Sequence, residues 1–213
     1  MPKVIGGSLV AHRDEVRSRV FAALREQLYE RGFESITLTG VASAAGLGRS
    51  SIYNHFPDRQ ALLVAFVEQE AERYVAELDA ALEHAPTPVE QLAVFARMQL
   101  RRLAEFHLPP GQALAGALEP AAYRRVAAHA DPISVRLERI VAEGIAAGEM
   151  AADGASGDST VLVAMVSAAL SARRIVDVPP DEVDASVEAA VRIVRRMVSP
   201  PAEKRLASPT SLP

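Results

Sequence analysis

Apolar residues recur at helical spacing along nearly the whole chain. From Asp14 to Arg31, Val16, Val20, Ala23, Leu24 and Leu28 fall at i, i+4, i+7, i+8 and i+12, one face of an amphipathic helix. Gly32 ends it. After Thr37, Leu38, Val41, Ala42 and Ala45 repeat the pattern over a short second helix, and Gly46-Leu47-Gly48 breaks the chain. A third short helix is predicted from Arg49 to Phe56, stopped by Pro57, because proline holds the preceding residue extended. Asp58 is suited to cap a long fourth helix reaching His84. Pro86-Thr87-Pro88 and Pro109-Pro110-Gly111 bound a fifth, Val89 to His107. Further helices are predicted at Gln112–Leu118, Pro120–Ala130, Pro132–Ala147, Thr160–Ile175 and Pro180–Val198. Ala151 to Ser159 is a glycine- and acid-rich loop. No segment alternates at strand period, so the expected fold is all-α with about nine helices.

Composition agrees with this reading. Alanine is abundant and aromatics are scarce, which favours helix because alanine loses no side-chain entropy there. The chain of 213 residues has room for a small head and a larger body. The divisions expected are a head over 1–57 (1–11 flexible), a body over 58–198, and a disordered, proline-rich tail over 199–213. With no cysteine, disulfides, thiolate metal sites and cysteine nucleophiles are excluded. Met1 to Val10 does not read as a secretory signal, and no apolar run reaches the roughly 18 residues of a membrane span, so a cytoplasmic location is expected. Net charge is −4, yet residues 1–60 carry eight Lys/Arg against six Asp/Glu. A mildly basic head on an acidic body is the asymmetry of a chain whose head meets nucleic acid.

The stretch from Gly32 to Phe56 gives that charge a purpose. It reads as helix, glycine turn, helix, with Gly46 free to take the left-handed backbone of a sharp exit and Leu47 plugging the space between the helices. Ile52 and Phe56, at i and i+4, face inward, which leaves Arg49, Ser50, Tyr53 and Asn54 outside. A short helix presenting those residues suits a major groove: Arg reads guanine, Asn reads adenine, and hydroxyls reach phosphates. The competing reading is a plain helical hairpin with solvated polar side chains.

This segment resembles the DNA-binding domain of the TetR (tetracycline repressor) family of bacterial transcriptional regulators. Gly32-Phe33, Thr37, Val41-Ala42, Ala45-Gly46-Leu47, Ile52-Tyr53, His55-Phe56, Arg59 and Leu62 carry the likeness, which is close over Val16 to Phe66. The resemblance implies a dimer bound to a palindromic operator. It implies that Thr37 caps the second helix and binds a phosphate, with Thr39 in the same DNA-facing set. Arg49 and Ser50 would approach bases, and Asn54 occupies a variable position that often reads them. Ser51, Tyr53 and His55 would anchor or flank phosphates, and Arg59 would grip one. Equally open for His55 is packing against the first helix. Two positions depart from the family pattern: Gly48 stands where serine is usual, losing a hydroxyl contact, and Ser50 stands where glycine is usual.

The resemblance further implies a ligand-binding, dimerising body behind the head. Candidate pocket residues are Tyr74, Phe95, Met98, Arg102, Phe106, His107, Tyr123 and Met165, a mixture of aromatic, soft and polar groups; core packing is the plainer reading of each. Arg102, if inward, suits an anionic inducer; the alternatives are a salt bridge to Glu105 or a place in solvent. Val187, Val191, Val194 and Val198 form one stripe, and Val161, Leu162, Met165, Ala168 and Ala169 another. Packed against a two-fold mate they would make a four-helix bundle; otherwise they are buried inside one chain.

No enzyme signature is present. There is no Gly-x-Ser-x-Gly, and the five histidines show no i, i+4 pair of metal-ligand type, so neither metal nor cofactor is expected. The function expected is a repressor released from DNA by a small molecule. A helical ligand-binding or assembly protein without DNA binding is the alternative.

Overall fold

The structure, a computed structural model, describes residues 9–105, 118–151, 159–170 and 178–200. Among them are nine α-helices and no strand. They are α1 (Leu9–Arg31), α2 (Leu38–Ala44), α3 (Arg49–His55), α4 (Arg59–Glu83), α5 (Pro88–Glu105), α6 (Pro120–Ala128), α7 (Asp131–Ala146), α8 (Ser159–Leu170) and α9 (Val183–Val198). Short 3-10 turns cover Phe33–Ser35 and Pro180–Glu182. The expected helix at Gln112–Leu118 falls outside the described residues except for Leu118, as do most of the Ala151–Ser159 loop, residues 1–8 of the flexible start and residues 201–213 of the tail. Helix α1 begins at Leu9, ahead of the expected Asp14.

The chain divides into two compact units, Met1–Ala71 with Phe106–His129, and Glu72–Glu105 with Ala130–Pro213. The first is larger than a head ending at Pro57. Its core runs from Val16, Val20, Phe21, Leu24 and Leu28 of α1 through Val41 and Ile52 to Leu62, Leu63 and Phe66 of α4 and to Leu118. Phe21 is the hub, with ring centroids 5.9 Å from Phe56 and 5.6 Å, edge-on, from Phe66. Helices of seven residues such as α2 and α3 are too short to persist alone, so burial on this core holds them. Helix α6 belongs to the same unit: Ala122, Tyr123 and Val126 pack on the cluster, Gln60 Oε1 accepts from the Glu119 N–H at 2.8 Å, and Arg125 donates to Glu68. The unit therefore ends where α4 stops supplying residues to the Phe21 core, not at the proline.

The second unit has its own core, built from Leu78 and Leu82 of α4, Leu92, Phe95 and Leu100 of α5, Ile140 and Val141 of α7, and residues of α8 and α9. Bidentate ion pairs tie its helices. Arg136 donates to both Asp79 oxygens at 2.5 Å, and Arg97 to both Glu188 oxygens at 2.5 and 3.0 Å. These bonds hold the Asp79 and Glu188 carboxyls below their ordinary pKa.

The valine stripe lies inside this core. Val187, Val191, Val194 and Val198 are all buried within one chain and cannot also face a partner. Periodicity marks a face to be buried without saying against what. The second stripe divides: Leu162 is half-buried, while Val161 (54% exposed) and Met165 (47%) reach the surface with Ala168 and Ala169. Ile193 of α9 is 62% exposed and was not part of either stripe.

Candidate nucleic-acid interface

Helix α2 opens on Thr37, whose backbone is extended (φ −130°, ψ 146°) and whose Oγ1 accepts from the Gly40 N–H at 3.1 Å. That bond satisfies one of the four N–H groups a helix start leaves open. A Cβ on Gly40 would stand 2.9 Å from the same oxygen, so glycine there preserves the cap. The Gln27 side chain, on α1, donates to the Gly40 carbonyl at 3.1 Å and fixes the start of α2 to α1.

The exit of α2 is equally determined. Gly46 has φ +66°, and the Leu47 N–H reaches back to the Ala42 carbonyl at 2.8 Å, the long return bond of a Schellman turn. From α1, Arg19 Nη2 donates to the Ala45 carbonyl at 2.5 Å and to that of Gly46 at 3.3 Å. Three devices thus fix the angle between α2 and α3: the glycine, the return bond and Arg19.

Helix α3 starts at Gly48, which is extended and, lacking a side chain, makes no side-chain cap bond. It ends at Phe56, extended ahead of Pro57. Ile52 and Phe56 are buried, while Arg49, Ser50, Tyr53 and Asn54 are exposed and Ser51 and His55 half-buried. The Arg49 guanidinium lies 5.9 Å from the Tyr53 ring centroid, and the His55 ring lies 6.3 Å from that of Phe56. Thr37 and Thr39 are exposed on α2's side of the turn, and Arg59 is half-buried at the start of α4. Asp58 Oδ1 caps α4 by accepting from the Ala61 N–H at 2.7 Å. One short helix therefore offers a guanidinium, a carboxamide and two hydroxyl groups on one side, with an isoleucine holding it down on the other.

Three supports escaped the sequence: Arg19, Gln27, and the pair of Arg25 with Glu70. Arg25 Nη2 donates at 2.5 Å to Glu70, which is 2% exposed and sits on α4. No spacing rule links residues so far apart. A glutamate on the apolar side of α4 was the one available hint, since buried carboxylates need a partner.

Of the pocket candidates, Tyr74 and Phe95 are buried and Met98 half-buried in the second core, and Arg102 stacks over the Tyr74 ring, 4.6 Å from its centroid. Tyr123 instead packs in the first unit, and Met165 lies on the surface of α8. Phe106 and His107 lie outside the described residues. Among the described residues no group of three or more His, Cys, Asp or Glu is placed to hold a metal ion.

A buried three-helix scaffold holding a polar seven-residue helix outward across a glycine turn defines a helix-turn-helix protein. Residues 20–66, the head of this chain, match the family model described as bacterial regulatory proteins, tetR family. The chain is 40% identical over 73 residues to the HTH-type transcriptional regulator AlkX of Mycobacterium tuberculosis, covering 34% of this chain and 35% of that one. An HTH-type transcriptional repressor of the same organism is 32% identical over 76 residues, 36% of this chain and 38% of that one. The matched stretch thus spans little more than a third of either relative. Beyond the head the fold itself agrees: the transcriptional regulator FadR from Bacillus subtilis, solved in complex with stearoyl-CoA, superposes with TM-score 0.66 over 85% of this chain and 98% of that one, at 18% identity.

Proposed function

We propose that this protein is a dimeric repressor of transcription that binds a palindromic operator through α3 and leaves it when a small molecule occupies the body. The exposed Arg49, Ser50, Tyr53 and Asn54, on a helix anchored by the buried Ile52, carry the reading. In this account α3 enters the major groove, Arg49 and Asn54 meet base edges, and Ser50 approaches them where the family usually has glycine. Thr37, Thr39, Ser51, Tyr53, His55 and Arg59 serve the phosphates. Two heads would sit about 34–36 Å apart, one turn of DNA.

The dimer face we assign to the outer surfaces of α8 and α9, where Val161, Met165, Ala169 and Ile193 are exposed. Large apolar side chains grouped on a surface are a mark of association. The inducer we assign to the second unit, around Tyr74, Phe95, Met98 and Arg102. Helix α4 is one continuous helix with residues in both units, which gives ligand binding a covalent route to Arg59. Ligand and DNA then oppose each other by the same factor, typically about 1–3 kcal/mol. No helix among the described residues is long and apolar enough to cross a membrane, and the site of action we propose is the cytoplasm, where the operator is.

The test is a gel shift with DNA fragments selected by the purified protein. Arg59→Ala should weaken operator and random DNA alike and flatten the salt slope by about one phosphate contact. Failure to bind any duplex at low salt would favour a helical assembly protein instead.

A further inference from the structure

Tyr74 is 3% exposed, and its hydroxyl is buried without a hydrogen-bond partner. Such a group is rare, because a buried donor without a partner has given up its hydrogen bonds to water and gained none in return. Around it is one apolar cluster, with Leu78, Phe95 and Leu100 buried and Met98 partly buried against them. A bound water needs two to four polar partners, and that cluster supplies few. On the ring face stands a cation, the Arg102 guanidinium, 4.6 Å from the centroid. Phe95, Met98 and Arg102 follow at i, i+3 and i+7, so α5 presents them on one side.

We infer that the Tyr74 hydroxyl is the polar anchor of the inducer site, donating a hydrogen bond to a carboxylate or similar anionic acceptor on an otherwise apolar small molecule, with Arg102 supplying the matching positive charge. Burial pushes the Tyr74 phenol above its ordinary pKa, against the opposing pull of Arg102, and the exposed Glu77 adds to the rise. The group is accordingly a protonated donor at any working pH. An acceptor placed on it removes the unmet hydrogen bond, and a charge-assisted bond of this kind is about twice as strong as a neutral one. The apolar remainder of the ligand follows from the cluster: a second polar group would be buried unpaired. This inference deepens the ligand-released reading and rests on it for the ligand's consequence, not for its binding.

Calorimetric titration of the full chain with benzoate, octanoate and decanoate, beside methyl decanoate and decanol, tests it. At least one carboxylate should bind, and more tightly than its uncharged counterparts. Tyr74→Phe should weaken that binding about tenfold or more, the worth of about 1.4 kcal/mol. The same variant should keep or raise the melting temperature of the ligand-free protein, because it deletes an unpaired buried hydroxyl. Arg102→Gln should weaken carboxylate binding and abolish the preference over methyl decanoate. Equal binding by wild type and Tyr74→Phe, no binding by any carboxylate, or a lower ligand-free melting temperature in Tyr74→Phe would each overturn the assignment. A carboxylate that binds through Tyr74 yet leaves DNA affinity unchanged would sink the ligand-released reading and leave this site standing. Release that is the same from wild type and Tyr74→Phe would do the reverse.

Discussion

Arg19 and Gly46 meet across the helix-turn-helix: the Arg19 guanidinium donates to the Gly46 carbonyl at 3.3 Å, and a Cβ on Gly46 would stand 2.8 Å from Arg19 Nη2. The glycine is thus required twice, by its φ of +66° and by the arginine seated against it. Gly46→Ala should cost about 1–2 kcal/mol from the left-handed backbone alone. Arg19→Gln should cost about 1 kcal/mol, the net worth of a typical hydrogen bond. Urea unfolding reads both. Because Arg19 acts on the angle of α3, its loss should lower operator affinity more than affinity for random duplex; equal losses would make it a stability residue only.

The surface of α8 and α9 makes a prediction that separates folding from assembly. Ile193→Glu and Met165→Glu put a charge on exposed positions and should leave the fold intact while shifting the dimer to monomer in sedimentation velocity. Val191→Glu puts the same charge into the core of one chain, and should unfold it, since an unpaired buried charge is among the costliest changes. A monomeric, well-folded Val191→Glu protein would return the valine stripe to the interface.

Acid should loosen the second unit first. Asp79 and Glu188 have pKa values lowered chiefly by their hydrogen bonds from Arg136 and Arg97. A carboxyl depressed in the folded state stabilises it fully above its unfolded value, about 4. That contribution is lost as pH falls through the lower folded value. Both side chains are partly exposed, so the effect is modest. Urea midpoints at pH 7 and pH 3 should differ, and Asp79→Asn should lower the first while narrowing the gap. A gap unchanged in Asp79→Asn would remove this pair from the acid response.

What could be read in advance follows from how far each interaction reaches. The turn was legible because Gly46-Leu47-Gly48 interrupts two periodic segments and only glycine takes that backbone readily. The burial of Ile52 and Phe56, and with it the exposure of Arg49 and Asn54, follows from a spacing of four. Arg19 was not legible: its partners lie 26 and 27 positions away, and a long side chain bonding carbonyls leaves no periodic trace. Nor was the extent of the head, because Leu62 and Phe66 continue a helix whose later residues serve another core. The valine stripe shows the same limit from the other side: its period was correct and its partner was the chain's own core.

The central claim is that the outer face of α3 reads DNA sequence, and selection from a random duplex library by purified protein tests it most directly. Wild type should enrich a palindrome whose half-sites lie about one turn apart, 10–10.5 base pairs centre to centre, or a multiple. Arg49→Ala should bind that palindrome more weakly by about 1–3 kcal/mol and relax the choice of base at one position in each half-site. Retention of the same consensus at the same affinity by Arg49→Ala, or no enrichment by wild type at all, would contradict the account.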